Sequence, residues 1–469
     1  MIQNNTKRIL IMLLVAVMLF SAGCSEKGNV SSVNSTSSEA KSSSDSSSSS
    51  DSQVSSEPTE SSPVESNGEA SQESDDDGED EESYENSPQG GESQSPSVPS
   101  STYLNSKIKF QANSVYLYGV GYVDLQMSNR VQVYQAVYLL KAMGARSVRI
   151  WAGCAIDSNT LLQWRVDRLH ELATDLKKAG IQVVFHFNGL ENPDAPGALS
   201  NDCPARDMTP GSKYMRTMDN YEALCKTMVS TFPEVTYWEI GNELNHNPFL
   251  HPVGWTEEGT NGIAPFTLRE KADIATDMMY RASKGAKAAN KNAVVIMPPL
   301  APADGMDGVS MTNSLEWYYE NIKSGNFGSK NPRNFFDALC WHPYMVEEPN
   351  MEWVENNNRL YKVAEKYGDA GIKVFLTEYG LPDGGNERAD ETQAEWMVKA
   401  YDLVKTHMPY VEAMHYYRMF TDTSQGDDLY GLFHQPEDGF GPKHKGLAFK
   451  KMAGGKGDLY KFFMDIKSI

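Results

Sequence analysis

The chain has 469 residues, a formal net charge of −21 and five cysteines. An acidic balance gives no basic face for nucleic acid, and so few cysteines give no disulfide-stapled scaffold. The charge is uneven: residues 25–102 hold 18 acids and 2 bases, which leaves residues 103–469 at only −7 by the same count.

Residues 1–24 read as a signal peptide. Lys7 and Arg8 precede an apolar run from Ile9 to Phe20 that ends in small residues. The run is too short to span a bilayer permanently. Ser21 to Cys24 resembles a bacterial lipobox, although the usual leucine is replaced by Ser21. That resemblance implies lipid on Cys24 and a protein held at the outer face of the cell membrane. Plain secretion is the other reading. Residues 25–102 are rich in Ser, Asp, Glu, Pro and Gly, with almost no large apolar side chains. Such a segment cannot bury enough surface to offset its conformational entropy, so a disordered tether is expected. The run Asp75 to Glu82 repels itself and extends it.

From Tyr103 onward strands and helices alternate, which predicts a parallel α/β architecture. Strands are expected at Val115–Tyr122, Ser147–Trp151, Ile181–Phe187, Val235–Ile240, Ala293–Met297, Phe336–His342, Lys373–Thr377 and Ala413–Tyr417. Helices are expected at Val131–Met143, Leu161–Lys178, Asn220–Thr231, Leu268–Ala289 and Gln393–Thr406, with a closing helix from Gly446. Residues 103–469 therefore fit one (β/α)8 barrel. Long loops are expected after strands 3, 4, 5 and 8, all on one rim, where they would wall a cleft.

Two strands end alike. Val235–Ile240 runs out at Gly241, Asn242 and Glu243, and Val374–Thr377 runs out at Glu378, Tyr379 and Gly380. A carboxylate at the end of a buried strand is costly without partners. The carboxyl end of a parallel barrel is also where ligands bind. Two glutamates so placed suggest glycosidic bond cleavage. The motifs Trp238 to Glu243 and Leu376 to Gly380 resemble the retaining glycoside hydrolases of clan A, families 39 and 5 above all. The resemblance covers Tyr103 to the C-terminus. It implies Glu243 as acid/base, Glu378 as nucleophile, and Asn242 as a hydrogen-bond partner of the sugar 2-hydroxyl. An ionised nucleophile needs donors; Arg149 at the end of strand 2 and Tyr344 after strand 6 are candidates. Glu239, within its strand, reads as an ion-pair partner in the barrel interior.

His186 and His342, at strand ends, are candidates for substrate contact. Trp255, in a polar loop, is the candidate stacking platform. Many clan members carry a Trp at strand 8; here Tyr417 or Arg418 stands in that region. No metal and no cofactor are expected. His186, His246 and His342 lack any pairing that marks a zinc site, and no G-x-S-x-G elbow supports an esterase. Cys225 and Cys340 read as buried thiols, and a Cys154–Cys203 bridge is left open. The function expected is retaining hydrolysis of β-glycosidic bonds in a carbohydrate polymer, by a monomer. The alternative is a catalytically silent carbohydrate-binding surface lipoprotein, which loss of either glutamate would mark; both are present.

Overall fold

The structure, a computed structural model, describes residues 116–121, 130–157, 160–191, 199–302, 309–345, 347–383, 387–421, 430–434 and 441–461. The signal, lipidation and tether expected at residues 1–102 lie outside these residues. No helix among the described residues is long and apolar enough to cross a membrane.

Eight parallel strands close into a barrel. They are β1 (Tyr118–Val120), β2 (Ser147–Trp151), β3 (Gln182–Phe187), β4 (Tyr237–Ile240), β5 (Val294–Ile296), β6 (Ala338–Cys340), β7 (Lys373–Tyr379) and β8 (Val411–Tyr416). Each pairs with its sequence neighbour, and β1 pairs with β8 to complete the cylinder. Helices follow each strand: α1 (Arg130–Met143), α2 (Gln163–Lys178), α3 (Lys213–Thr231), α4 (Leu268–Ala289), α5 (Val309–Ser324), α6 (Met351–Lys366), α7 (Glu387–His407) and α8 (His444–Ala453). The (β/α)8 reading of the sequence is the observed fold. Because all strands run one way, their carboxyl ends share one rim.

Local chemistry accounts for the helices. Before α4, the Thr267 hydroxyl accepts from the Glu270 amide and Glu270 bonds back to the Thr267 amide, satisfying two orphan donors. Helix α3 starts earlier than Asn220, at Lys213, because the Ser212 side chain caps Met215 and Tyr214, Met218, Tyr221 and Cys225 continue one buried face. The long loop expected after strand 5 is largely α5. Its buried Met311, Leu315, Tyr318, Tyr319 and Ile322 fall at helical spacing. Helix α6, likewise unassigned from sequence, is capped by Asn350.

The loop after β3 is shorter than expected and is stitched to the loop after β4. Asp202–Cys203 pairs in parallel with His251–Pro252. Cys203 is a free, fully buried thiol, so the Cys154–Cys203 bridge left open above is not formed. Cys225 and Cys340 are buried free thiols as expected.

The barrel interior is polar where a barrel of this kind is usually filled by branched apolar residues. Ser147, Arg149, Gln182, Glu239, His342, Thr377 and His415 are all buried. His415 and the Gln182 amide oxygen both bond the Ser147 hydroxyl, at 2.8 and 3.1 Å. Gly119 on β1 makes room for that imidazole, since a Cβ there would stand 2.6 Å from His415 Cδ2. A dense polar interior is held by side chains that satisfy one another, which fixes their positions for chemistry at the rim.

Candidate active site

Strand β4 is apolar and aromatic up to Ile240, and the chain then turns sharply. Gly241 and Glu243 both have positive φ, +78° and +42°. A left-handed conformation is ordinary for glycine but costs a glutamate free energy, and such outliers concentrate at functional sites. The turn is pinned on both sides: the Gly241 amide donates to Phe187, and the His246 amide to the Glu243 carbonyl at 2.7 Å. Asn245 ties the same segment to the end of β5 by exchanging two hydrogen bonds with the Ala301 backbone. Buried Lys271 on α4 reaches the Asn245 carbonyl and the Asn247 side chain from below.

Glu243 is fully buried. Its Oε1 lies 2.7 Å from His342 Nδ1, while Oε2 has no hydrogen-bond partner among the described residues. Burial raises the Glu243 pKa. His342 opposes that shift and the Glu378 charge adds to it. A carboxyl that holds its proton beyond the usual range is what a general acid needs. His342 is pushed down to about 4 by burial, so it is neutral at ordinary pH. Its Nε2 bonds the Thr377 hydroxyl at 2.9 Å.

Glu378 belongs to β7, opposite. Its Oε1 lies 2.5 Å from Arg149 Nη1, and its Oε2 accepts the Tyr344 hydroxyl at 2.8 Å. Burial raises the Tyr344 pKa well above its usual value, so the phenol remains a donor. A permanent cation on one oxygen and a phenol on the other suit a carboxylate that must attack as an anion. Arg149 is the hub of the site. Its Nε and Nη2 hold Glu239, at 3.0 and 2.5 Å to Oε1, and Nη2 also donates to Asn242 Oδ1 at 3.0 Å. Burial alone would lower the Arg149 pKa, but the charges of Glu239 and Glu378 outweigh it and hold it above the ordinary value. Burial raises the Glu239 pKa, against the pull of the same arginine.

One oxygen of Glu243, one of Glu378 and a ring nitrogen of His342 lie within 4.8 Å of one another. Two carboxylates and an imidazole at such range could ligate a cation. Both oxygens of Glu378 already have donors, Arg149 on Oε1 and Tyr344 on Oε2, and His342 Nδ1 is hydrogen-bonded to Glu243.

The structure thus gathers Glu243, Glu378, Arg149, Asn242, His342 and Tyr344 in one network. The Asn242 amide oxygen is committed to Arg149, which leaves its nitrogen as the donor. His186 is buried next to Glu239 in the sheet, and burial, with the Arg149 charge, lowers its pKa well below the ordinary value. Tyr417 is half-buried, its ring edge-on to Tyr344 at 6.5 Å and to Tyr430 at 5.5 Å, with Arg418 beside it. Trp255 lies in the loop after β4 with its ring tilted at 36° against His251, centroids 4.9 Å apart.

Three members were not singled out from sequence: Thr377, Cys340 and Tyr430. Alternation along a strand sends neighbouring side chains to opposite faces, yet Thr377 and Glu378 both join the network. The β7–β8 register shifts between Leu376 and Tyr379, and such a bulge re-aims side chains.

Fold and site together define a parallel barrel with a close carboxylate pair at its carboxyl rim. No protein-family model matches the sequence, and no curated protein does. Among solved structures, the chain is similar to a family 39 glycoside hydrolase from the gut symbiont Bacteroides cellulosilyticus WH2, at 16% identity and a TM-score of 0.49, over 73% of this chain and 64% of that one. It is also similar to a glucosidase from Croceicoccus marinus (15% identity, TM-score 0.49, 74% of this chain and 69% of that one). A third is a broad-specificity endoglucanase from Clostridium acetobutylicum (13%, 0.49, 72% and 97%). The chain spans less than two thirds of the length of the Bacteroides enzyme.

Proposed function

We propose that residues 103–469 form a retaining β-glycosidase of the clan A type acting on a carbohydrate polymer. The observation that carries this is the carboxylate spacing. Retaining enzymes hold the two carboxyls about 5–5.5 Å apart, whereas inverting ones leave about 6.5–9.5 Å for a water. An oxygen of Glu243 and one of Glu378 lie within 4.8 Å, a closeness that supports the retaining arrangement over the inverting one. The split environments support the division of labour. Glu243, with its raised pKa, gives its proton to the glycosidic oxygen. Glu378, against Arg149, attacks the anomeric carbon as the leaving group departs. Glu243, now ionised, then takes a proton from the water that releases the sugar from Glu378. Asn242 would offer its amide nitrogen to the sugar 2-hydroxyl, a contact that strengthens in the transition state.

The test is a screen of the purified protein against a panel of β-linked glycans, with Glu243→Gln and Glu378→Gln beside the wild type. Turnover lost in both variants is expected; wild-type rates in either would end the assignment. A silent binder would instead bind glycan without turnover in all three proteins. The address read from residues 1–24 completes the proposal as a lipid-anchored surface enzyme. Labelled fatty acid should enter the wild type and not Cys24→Ser.

A further inference from the structure

A chain of hydrogen bonds runs through the barrel interior from one catalytic carboxylate to the other. From Glu243 it passes to His342 (2.7 Å), to Thr377 (2.9 Å) and to Cys340 (3.0 Å). From Cys340 Sγ it continues to Glu239 Oε2 at 3.9 Å, and Glu239 is held by Arg149, which holds Glu378. Every side chain in it is buried.

The direction of these bonds decides which oxygen of Glu243 can carry the acid's proton. A neutral imidazole has one N–H, and the other nitrogen accepts. In one polarity the Cys340 thiol donates to Thr377 Oγ1, the Thr377 hydroxyl donates to His342 Nε2, and His342 Nδ1–H donates to Glu243 Oε1. In the other, Glu243 Oε1–H donates to Nδ1, Nε2–H donates to Thr377, and the Thr377 hydroxyl is spent on sulfur. Imidazole nitrogen is a good acceptor and thiol sulfur a weak one. The thiol proton also finds oxygen at 3.0 Å on Thr377 and only at 3.9 Å on Glu239. Glu239 draws its donors from Arg149, two on Oε1 and one on Oε2 at 3.2 Å, while the hydrogen bonds of Thr377 Oγ1 are to His342 and Cys340. Both comparisons favour the first polarity.

We propose that Thr377 is a positioning residue that fixes His342 as the Nδ1–H tautomer, so that Glu243 Oε1 is a permanent acceptor and Oε2 alone carries the proton delivered to the leaving group. The observation that Oε2 is the buried oxygen with no partner among the described residues agrees with this. The same polarity serves both half-reactions. When Glu243 loses its proton, His342 Nδ1–H stabilises the carboxylate at Oε1, and Oε2 is left to take a proton back from water. No proton needs to move along the chain during turnover. The catalytic part of the proposal rests on the glycosidase reading; the tautomer itself does not.

The experiment uses the full chain labelled with 15N-histidine, with the His342 signals assigned by their loss in His342→Asn. Wild type and Thr377→Ser should show His342 protonated at Nδ1. Thr377→Val, which keeps the shape and removes the hydroxyl, should lose that preference and show Nε2–H. An Nε2–H tautomer in the wild type, or an unchanged Nδ1–H signal in Thr377→Val, would overturn the proposal whether or not the protein is a glycosidase. The second arm compares aryl β-glycosides on the same variants. A positioned proton donor contributes about 10²–10⁴-fold, and misplacing it should cost kcat/KM roughly tenfold on a poor leaving group. On a dinitrophenyl leaving group, whose departure needs no acid, kcat/KM should be nearly unchanged, and Thr377→Ser should recover the loss. An equal fall on both substrates would mark a merely structural role and overturn the catalytic part. If the wild type cleaves no substrate at all, the glycosidase reading fails while the tautomer result stands.

Discussion

Replacing Arg149 with methionine removes the one cation that serves three buried partners. Glu239 loses bonds from Nε and Nη2, Glu378 loses Nη1, and Asn242 loses Nη2. Summing charged hydrogen bonds at about 1.5–3 kcal/mol each would overstate the effect, because stranded carboxyls take up protons rather than stay ionised. Breaking a buried pair by deleting one partner costs about 3–5 kcal/mol. At an m-value of roughly 3 kcal/mol/M, the urea midpoint at pH 7 should fall by about 1–1.7 M. The pairing itself is isolated by Glu239→Met and the double variant. With both of these charges gone an apolar pair fills the space, while Glu378 and Asn242 still lack their Arg149 bonds, so part of the loss should return, and the coupling energy should exceed about 1 kcal/mol. The penalty should also shrink toward pH 4, where Glu239, its pKa already raised by burial, accepts a proton. A loss under about 1 kcal/mol for Arg149→Met would refute the view of Arg149 as an interior hub. So would a double variant as unstable as the two singles added together.

Other consequences follow from single contacts. Because burial raises the Glu243 pKa, its stabilising contribution is fully present below the unfolded value of about 4.3 and is lost as pH rises through the folded value. Glu243→Gln, neutral at every pH, should therefore gain stability relative to wild type as pH climbs from 5 to 8 in urea titrations; a flat or opposite trend contradicts the burial assignment. Tyr344→Phe removes the donor on Glu378 Oε2. With a cleaved substrate in hand, kcat should drop about tenfold or more, in line with the loss of one hydrogen bond to a charged group, while an unchanged kcat removes Tyr344 from the mechanism. Thr267→Ala deletes the cap of α4 and should cost about 1 kcal/mol by thermal or urea unfolding. Its catalytic constants should stay as they were.

Much of this could be read before any coordinates, and the reasons are local. Strand–helix alternation gave all eight strands within a few residues, because each buried strand is a short apolar run bounded by turns. Glu243 and Glu378 were visible because each interrupts such a run at its carboxyl end. Arg149 and Tyr344 were named from their place on the same rim, and Glu239 from period-two alternation. Thr377 was hidden for the converse reason. Alternation sends it away from Glu378, and only the register shift beside β8 turns both inward. Cys340 looked like an ordinary buried thiol, and nothing in its apolar setting shows that it faces Thr377 at 3.0 Å. Tyr430 stands far from Tyr344 in sequence, and their meeting at 6.3 Å is set by how the chain returns after β8. Trp255, read from its polar loop as a platform, sits in the β4 loop with its ring against His251.

The configuration of the first sugar released separates double from single displacement. Proton NMR of a cleaved β-glycoside, recorded before mutarotation, should show the β-anomer appear first, as double displacement through Glu378 requires. First appearance of the α-anomer would mean a single displacement by water and would overturn the proposed roles of Glu243 and Glu378.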